Sequence, residues 1–514
     1  MKIQFKPIII LLLIAISLLG GSFVMNYKKT QNSTLRVAFP ADFKAQHYEP
    51  TNISIDYEYI FLENIYSTLV EVDTKGTIVP GLAERVFWEG DELHFKLKNN
   101  IKTASGKPIT IDDVVFSLKR LLILSGNTHG NFKDLVCSGE ELKSINQDCS
   151  GIKASGDTLI LISPNRKSFL LPMLAAIDFA IIPKASVNPE TLAIENYQET
   201  SGPYFVAADD EKGNIKLKLN PFHYHATNDI ATEIQLIPFT SKSSSESLKA
   251  LSEGRVDLLT TVDTARADEQ IKFVNEHPEF TSHITQKIRS HLLVFTEKGF
   301  NSLSLEERRY IASKVRNAFQ EIYGKSPGFE PREEFFPSLG EGGLTKEQLT
   351  QMEKLNLLQE QRPNKKFRLG LIRRGGIEPW ANPINKNLPE AECYFENNAP
   401  DLKKNLTIEE TPDAFIVSTD TGFMEDISLI SYSLNAGLLG LSKKERDAWL
   451  ADYMATEDKN LRLTKLKELH FNSLSQLWIA PLMASPYSAT IRKPWAFNLS
   501  DLYANNQLWL IKMQ

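Results

Sequence analysis

Apolar residues at Leu93, Phe95 and Leu97 alternate with polar neighbours, the period-two pattern of a half-buried antiparallel strand. Val86 and Trp88 lie on the other side of Gly90-Asp91, a dipeptide that predicts a chain reversal. Beyond Gly106-Lys107-Pro108 the period lengthens. Ile111, Val114, Val115, Leu118, Leu121 and Leu122 form one helical stripe. Thr110 is placed to cap that helix, with Asp113 reaching back where a capping box more often has Glu or Gln.

The same reading extends along the chain. It predicts a strand opening at Leu35, a helix over 57–69, a strand over 157–165 and an apolar helix-to-strand run over 169–187. Residues 200–225 read as a hairpin turning at Lys212-Gly213, and 239–247 become Ser- and Lys-rich, suiting a crossing between lobes. A helix over 246–262 follows. Capped helices are expected at Ser304 with Glu307, at Thr345 and at Ser442 with Glu445, and another helix over 461–474. Strands are expected over 365–372, 413–419 and 476–486, and a Gly-, Pro- and Asn-rich loop over 375–400 contains Trp380.

The order of particular residues resembles the signature of the extracellular solute-binding proteins of family 5, the dipeptide- and oligopeptide-binding components of ABC transporters. Its residues have counterparts in Leu69, Val70, Asp73, Gly76, Pro80, Leu82, Ala83 and Glu84, then in Phe95, Leu97, Ile101, Lys102, Gly106, Pro108, Thr110, Asp113 and Val114. Glu49-Pro50, Gly202-Pro203-Tyr204, Asn220, Tyr224, Gly254, Asp257 and Val315-Arg316-Asn317-Ala318 continue the match. Lys98 stands where the family usually has Arg, Thr103-Ala104-Ser105 replaces its aromatic and polar residues, and Ser201 replaces a threonine.

The resemblance implies a two-lobed α/β periplasmic binding protein fold of the class II type, with an extra subdomain inserted in the first lobe. On that plan 1–30 is a signal or anchor and 34–68 begins lobe I. Residues 69–193 are the insertion, 194–240 resume lobe I, 241–478 form lobe II and 479–514 return to lobe I. The implied function is capture of peptides between the lobes, largely by main-chain hydrogen bonds, and delivery to a membrane permease. In the family a carboxylate just past the strand at 413–419 can bind the peptide ammonium. Asp420 aligns best and Asp426 second, and Trp380 is a further candidate ligand contact; the family's Trp and Pro in that segment are missing. The other reading is a membrane-anchored relative that binds a non-peptide solute or acts as a sensor without transport.

Composition narrows the classes. The 514 residues, 42% hydrophobic and 24% charged, describe a globular chain. The formal charge of -6 argues against nucleic acid and anionic membrane surfaces as partners. Lys2 and Lys6 precede an apolar run from Pro7 to Met25, which fits a cleaved export signal ending near Gly20-Gly21-Ser22 and fits equally an uncleaved anchor. Either way the chain is expected in the periplasm, free or tethered to the inner membrane. No cysteine near this segment offers lipid attachment.

Cys137 and Cys149 enclose a polar loop that an oxidising compartment would let close as a disulfide, worth roughly 3 kcal/mol by loop entropy. Cys393 is left over. His223 and His225 flank Tyr224 at a spacing that puts both on one face of a strand, yet no third ligand is near. There is no HExxH, no GxSxG and no phosphate loop. The expectation is therefore a monomeric binding protein without cofactor or catalytic residues.

Overall fold

The computed structural model describes residues 33–39, 44–45, 48–53, 56–125, 132–137, 139–162, 167–210, 214–238, 244–261, 264–336, 342–373, 377–403, 406–420, 430, 433–499 and 506–514. Its largest sheet has seven strands in the order Phe280–Ile284, Ser488–Arg492, Leu258–Thr261, Thr34–Phe39, Glu233–Pro238, Ile215–Leu219 and Tyr204–Asp209. Leu35, Val37, Leu217, Ile234 and Leu236 are fully buried in it. Helix Asp56–Ile65 contributes Phe61, Leu62 and Ile65 to the same core. This helix stops earlier than its apolar pattern suggests. Asn64 is buried within it and binds the C-terminal segment, donating to the Asn506 carbonyl (2.8 Å) and accepting from the Leu508 N–H (2.7 Å).

The Gly90-Asp91 turn joins strands Ala83–Glu89 and Glu92–Leu97, with Gly90 at φ 58°, a left-handed value that glycine adopts without strain. Thr158–Ile162 and Ile152–Ser155 complete a four-stranded antiparallel sheet. Helix Ile111–Ser125 buries Val114, Leu118, Leu121 and Leu122 in the same apolar cluster. Asp113 accepts from the Thr110 N–H (2.9 Å) and from the Lys184 N–H (2.9 Å), so the cap residue also ties the helix to the strap beyond it. The helix Lys167–Met173 contains Pro172 and is followed by a short turn at Ile177–Phe179. Among the described residues no named strand occurs in the rest of the run to Val187; instead the Ile181 N–H donates to the Ser67 carbonyl.

Most signature residues serve this architecture. A Cβ on Gly202 would lie 2.4 Å from the Ile65 carbonyl carbon, so only glycine lets these backbones meet. Asn220, fully buried, donates to the Lys102 carbonyl (2.9 Å). Arg120, 1% exposed, makes a two-pronged ion pair with Glu49, one contact at 2.8 Å, and donates to the Leu192 carbonyl (2.8 Å).

A six-stranded sheet makes the second lobe, in the order Glu330–Pro331, Ile479–Ser485, Arg289–Phe295, Ala414–Asp420, Phe367–Leu371 and Ala391–Phe395. Helix Leu305–Tyr323 covers it, its start fixed by the reciprocal Ser304 and Glu307 capping box. Thr345 with Gln348 and Ser442 with Glu445 cap two further helices in the same way. The stretch expected as a loop contains, among its described residues 377–400, helix Glu378–Asn387 and strand Ala391–Phe395.

The passages between the two sheets differ from the expected boundaries at 241 and 479. Helix Ser244–Ser252 ends before Gly254 (φ 70°), and Leu258–Thr261 then joins the first sheet. The cause is a two-pronged pair in which the Arg36 guanidinium donates to Asp257 (2.8 and 2.7 Å) and the Arg36 N–H adds a third bond (3.0 Å). Phe280–Ile284 follows into the same sheet, so the chain leaves it only at 285–288. Strand Ile479–Ser485 is buried throughout and pairs with Arg289–Phe295 in the second sheet; the return occurs at 486–487.

Candidate ligand cleft and its hinge

Two short connections, 285–288 and 486–487, join the sheets side by side. The Thr285 N–H donates to the Tyr487 carbonyl (3.1 Å) and the Tyr487 N–H donates to the Thr285 hydroxyl oxygen (2.9 Å). Two adjacent, mutually bonded crossings make a hinge, and the sheet ends beside them floor the space between the lobes.

Asp420 closes strand Ala414–Asp420 at that end. Its ladder partner is Arg289, the first residue after the crossing. On the other side Arg289 is paired with Ser485, the last residue before the return. The Arg289 guanidinium donates to the Tyr487 hydroxyl (2.6 Å) and lies 5.5 Å from the centroid of its ring. Lys287 and Arg332 meet Glu330 on the edge strand, at 3.1 and 3.4 Å.

Behind this end, His291 fastens three strands. Its Nδ1 lies 2.8 Å from the Ser418 hydroxyl and its Nε2 3.0 Å from the Ser485 hydroxyl. Burial, with the nearby Arg289 charge, pushes its pKa down to about 3. The ring is therefore neutral at physiological pH, with one donor and one acceptor to match two hydroxyls. Nothing in the local sequence marked it, because the role depends on Ser418 and Ser485 arriving from distant strands.

The sequence candidates separate in space. Asp420 stands at the hinge end, described in its backbone; Asp426 lies outside the described residues. Trp380 is a core residue: it is 4% exposed, its indole N–H donates to the Tyr323 hydroxyl (2.8 Å), and its ring packs 5.2 Å from Phe319. An aromatic in a Gly-, Pro- and Asn-rich stretch reads as a loop residue, but helix Glu378–Asn387 turns it inward.

Cys137 and Cys149 are joined, with their Cα atoms 5.0 Å apart. Cys393 is a thiol whose pKa burial raises to about 12. His223 and His225 stand in a turn after strand Ile215–Leu219, not on the strand. His223 bonds the Ser67 hydroxyl (3.0 Å), and burial holds its pKa well below the usual range. His225 meets Glu71 (2.9 Å). Glu71 also accepts from the Tyr224 hydroxyl, and Lys98 lies 4.1 Å from the centroid of that ring while donating to the Gly81 and Ala83 carbonyls. The pair thus fastens the small unit to the first sheet. Among the described residues no three His, Cys, Asp or Glu side chains gather to hold a metal ion.

The family model described as bacterial extracellular solute-binding proteins, family 5 middle, matches residues 77–320. Over those residues the chain is similar to that family. The match begins in the two-stranded pairing ahead of the small sheet, takes in five of the seven strands of the first sheet and both strands flanking the first crossing, and ends within helix Leu305–Tyr323.

The chain is 22% identical over 309 residues to a dipeptide-binding protein of Lactococcus lactis subsp. cremoris, a match covering 57% of this chain and 54% of that protein. It thus spans about half the length of that curated relative. The structure of the Escherichia coli murein tripeptide binding protein MppA matches over 94% of this chain and 99% of that one, with TM-score 0.71 and 17% identity. NikA from Staphylococcus aureus, in complex with Ni(L-His)2, matches over 94% and 100%, with TM-score 0.68 and 14% identity. At such identities the likeness establishes the two-lobed fold. The family is one of extracellular solute-binding proteins and is not enzymatic. Among the described residues no helix is long and apolar enough to cross a membrane; the run from Pro7 to Met25 lies outside them.

Proposed function

We propose that this chain captures peptides between its two lobes and delivers them to the membrane permease of an ABC transporter. The observation that carries this reading is the position of Asp420, at the end of a buried strand beside both crossings. An aspartate at that strand end has the charge to hold a peptide ammonium, a bond worth roughly 1.5 to 3 kcal/mol. Likeness to the Lactococcus dipeptide-binding protein supports the same class. Closure about the 285–288 and 486–487 connections would bury the ligand and create the form a permease recognises. Export brings the chain to its ligand, with the run from Pro7 to Met25 as removed signal or retained tether. The mass of the secreted N-terminus decides between those two.

The test is native mass spectrometry of the full-length chain after exposure to a mixed peptide library. A heterogeneous set of bound peptides, weakened about tenfold or more in Asp420→Ala, supports the reading. A protein that stays empty in the library overturns it and leaves a non-peptide solute or a sensing role.

A further inference from the structure

Successive side chains of a strand point to opposite faces of its sheet. In the four-stranded sheet of the small unit, Leu93, Phe95, Leu159 and Leu161 face inward to the core. The residues between them form rows across the outer face. Arg85 stands opposite Lys96, Phe87 opposite His94 and His94 opposite Ile160, and Glu89 opposite Glu92. The Phe87 ring stacks on the His94 imidazole with centroids 5.0 Å apart. The Arg85 guanidinium lies 5.5 Å from the Phe87 centroid, and the Glu92 carboxylate 3.2 Å from His94 Nε2. These side chains therefore share one face and are sorted by kind: a basic row at one end, an apolar and aromatic row in the middle, an acidic row at the other. Arg85 and Glu89 are exposed; Lys96, Glu92, Phe87 and Ile160 are half-buried.

Like charges directly opposite on paired strands destabilise a sheet, and this face has two such pairs. Within the chain Lys96 meets Glu84 only at 4.0 Å. The same sorting makes the face complementary to itself. A half-turn about the middle row lays the basic row of one copy over the acidic row of the other, twice per contact, and seats Phe87, His94 and Ile160 on their own counterparts. One patch serving both partners is the mark of an isologous dimer, and sheets stacked in this way keep their strands nearly aligned. Lys153, opposite Ile160, ends the middle row on the edge strand, where its exposed side chain can turn into solvent. We propose that the outer face of this sheet binds a second copy of the chain, in place of the monomer expected from the sequence. Three strand spacings of about 4.8 Å and six residue rises of about 3.4 Å give a face of about 300 Å². Standard interfaces bury roughly 800 Å² per partner. The dimer is accordingly weak, half-formed at about 0.1 mM.

Sedimentation velocity on the exported protein, as recovered from the cells that produce it and loaded from about 1 µM to about 0.5 mM, tests this. The expected result is a reversible passage from monomer to dimer whose midpoint rises severalfold between about 0.05 and about 0.5 M salt. Arg85→Glu with Lys96→Glu leaves two acidic rows, and Glu89→Lys with Glu92→Lys leaves two basic ones. Each variant alone should associate at least about tenfold more weakly than the wild type. An equimolar mixture of the two should regain the dimer, because the half-turn then sets an acidic face on a basic one. All four reversals in one chain should restore it as well. A protein that stays monomeric throughout overturns the inference, as does a dimer indifferent to salt. A dimer that both variants keep places the contact elsewhere and also overturns it. So does failure of both the mixture and the fourfold variant to associate.

Discussion

Thr285 and Tyr487, 202 residues apart in sequence, hold one another across the two connections between the lobes: each backbone N–H donates to an oxygen of the other residue. Each connection alone is a few residues of chain outside the sheets. Bonded together, they confine relative motion of the sheets to one narrow place, next to the strand ends that carry Asp420 and Arg289.

Thr285→Val removes the hydroxyl that accepts from the Tyr487 N–H in a buried segment. The expected cost is roughly 1 to 3 kcal/mol, because a buried donor is left without its acceptor. Chemical denaturation measures this. Small-angle scattering with and without peptide should show a broader range of lobe separations in the variant.

Acid should destabilise the fold through its buried histidines. His470, whose Nε2 accepts from the Phe335 N–H (2.9 Å), is pushed down to about 4 by burial, and His291 to about 3. Unfolded, both titrate near 6.5. Above that value both states are neutral and these groups add no pH dependence. Below it the unfolded chain takes up protons that the folded chain refuses, so stability falls as pH drops from about 6.5 toward the folded values. For each residue the loss at pH 5.5 is about 1.4 kcal/mol. Denaturation at pH 7.5 and 5.5 should show a shallower fall in His470→Gln than in the wild type.

Gly202→Ala should be among the most damaging single methyl additions. The new Cβ would meet the Ile65 carbonyl carbon at 2.4 Å, and the obstacle is backbone that cannot rotate away. A cost of roughly 3 kcal/mol is expected. It would appear as a lowered denaturation midpoint or as loss of accumulated protein.

Trp380→Phe separates core from cleft. Losing the indole and its bond to the Tyr323 hydroxyl should cost roughly 1 to 3 kcal/mol. Peptide affinity should stay within about twofold of the wild type by calorimetry. A tenfold loss of affinity at unchanged stability would return Trp380 to the ligand site.

What the sequence determined by itself was local and periodic. The Gly90-Asp91 reversal, the stripe from Ile111 to Leu122 and the capping boxes at Ser304, Thr345 and Ser442 depend on residues within a turn or two of one another, so their physics is legible in order alone. The family resemblance extended this to a two-lobed plan, because the order of turn and cap residues is a record of how the elements pack. The tertiary structure decided where the chain changes lobe, and that Trp380 faces the core. It also decided that His223 and His225 are fasteners in a turn. Leu258–Thr261 lies in the first sheet because Asp257 pairs with Arg36, 221 residues away. The hinge exists because Thr285 meets Tyr487, and beside it Arg289 falls opposite Asp420 in the strand register. These contacts join residues whose own neighbourhoods look ordinary, since a side chain's role is set by its surroundings in space and local sequence specifies only the nearest of them.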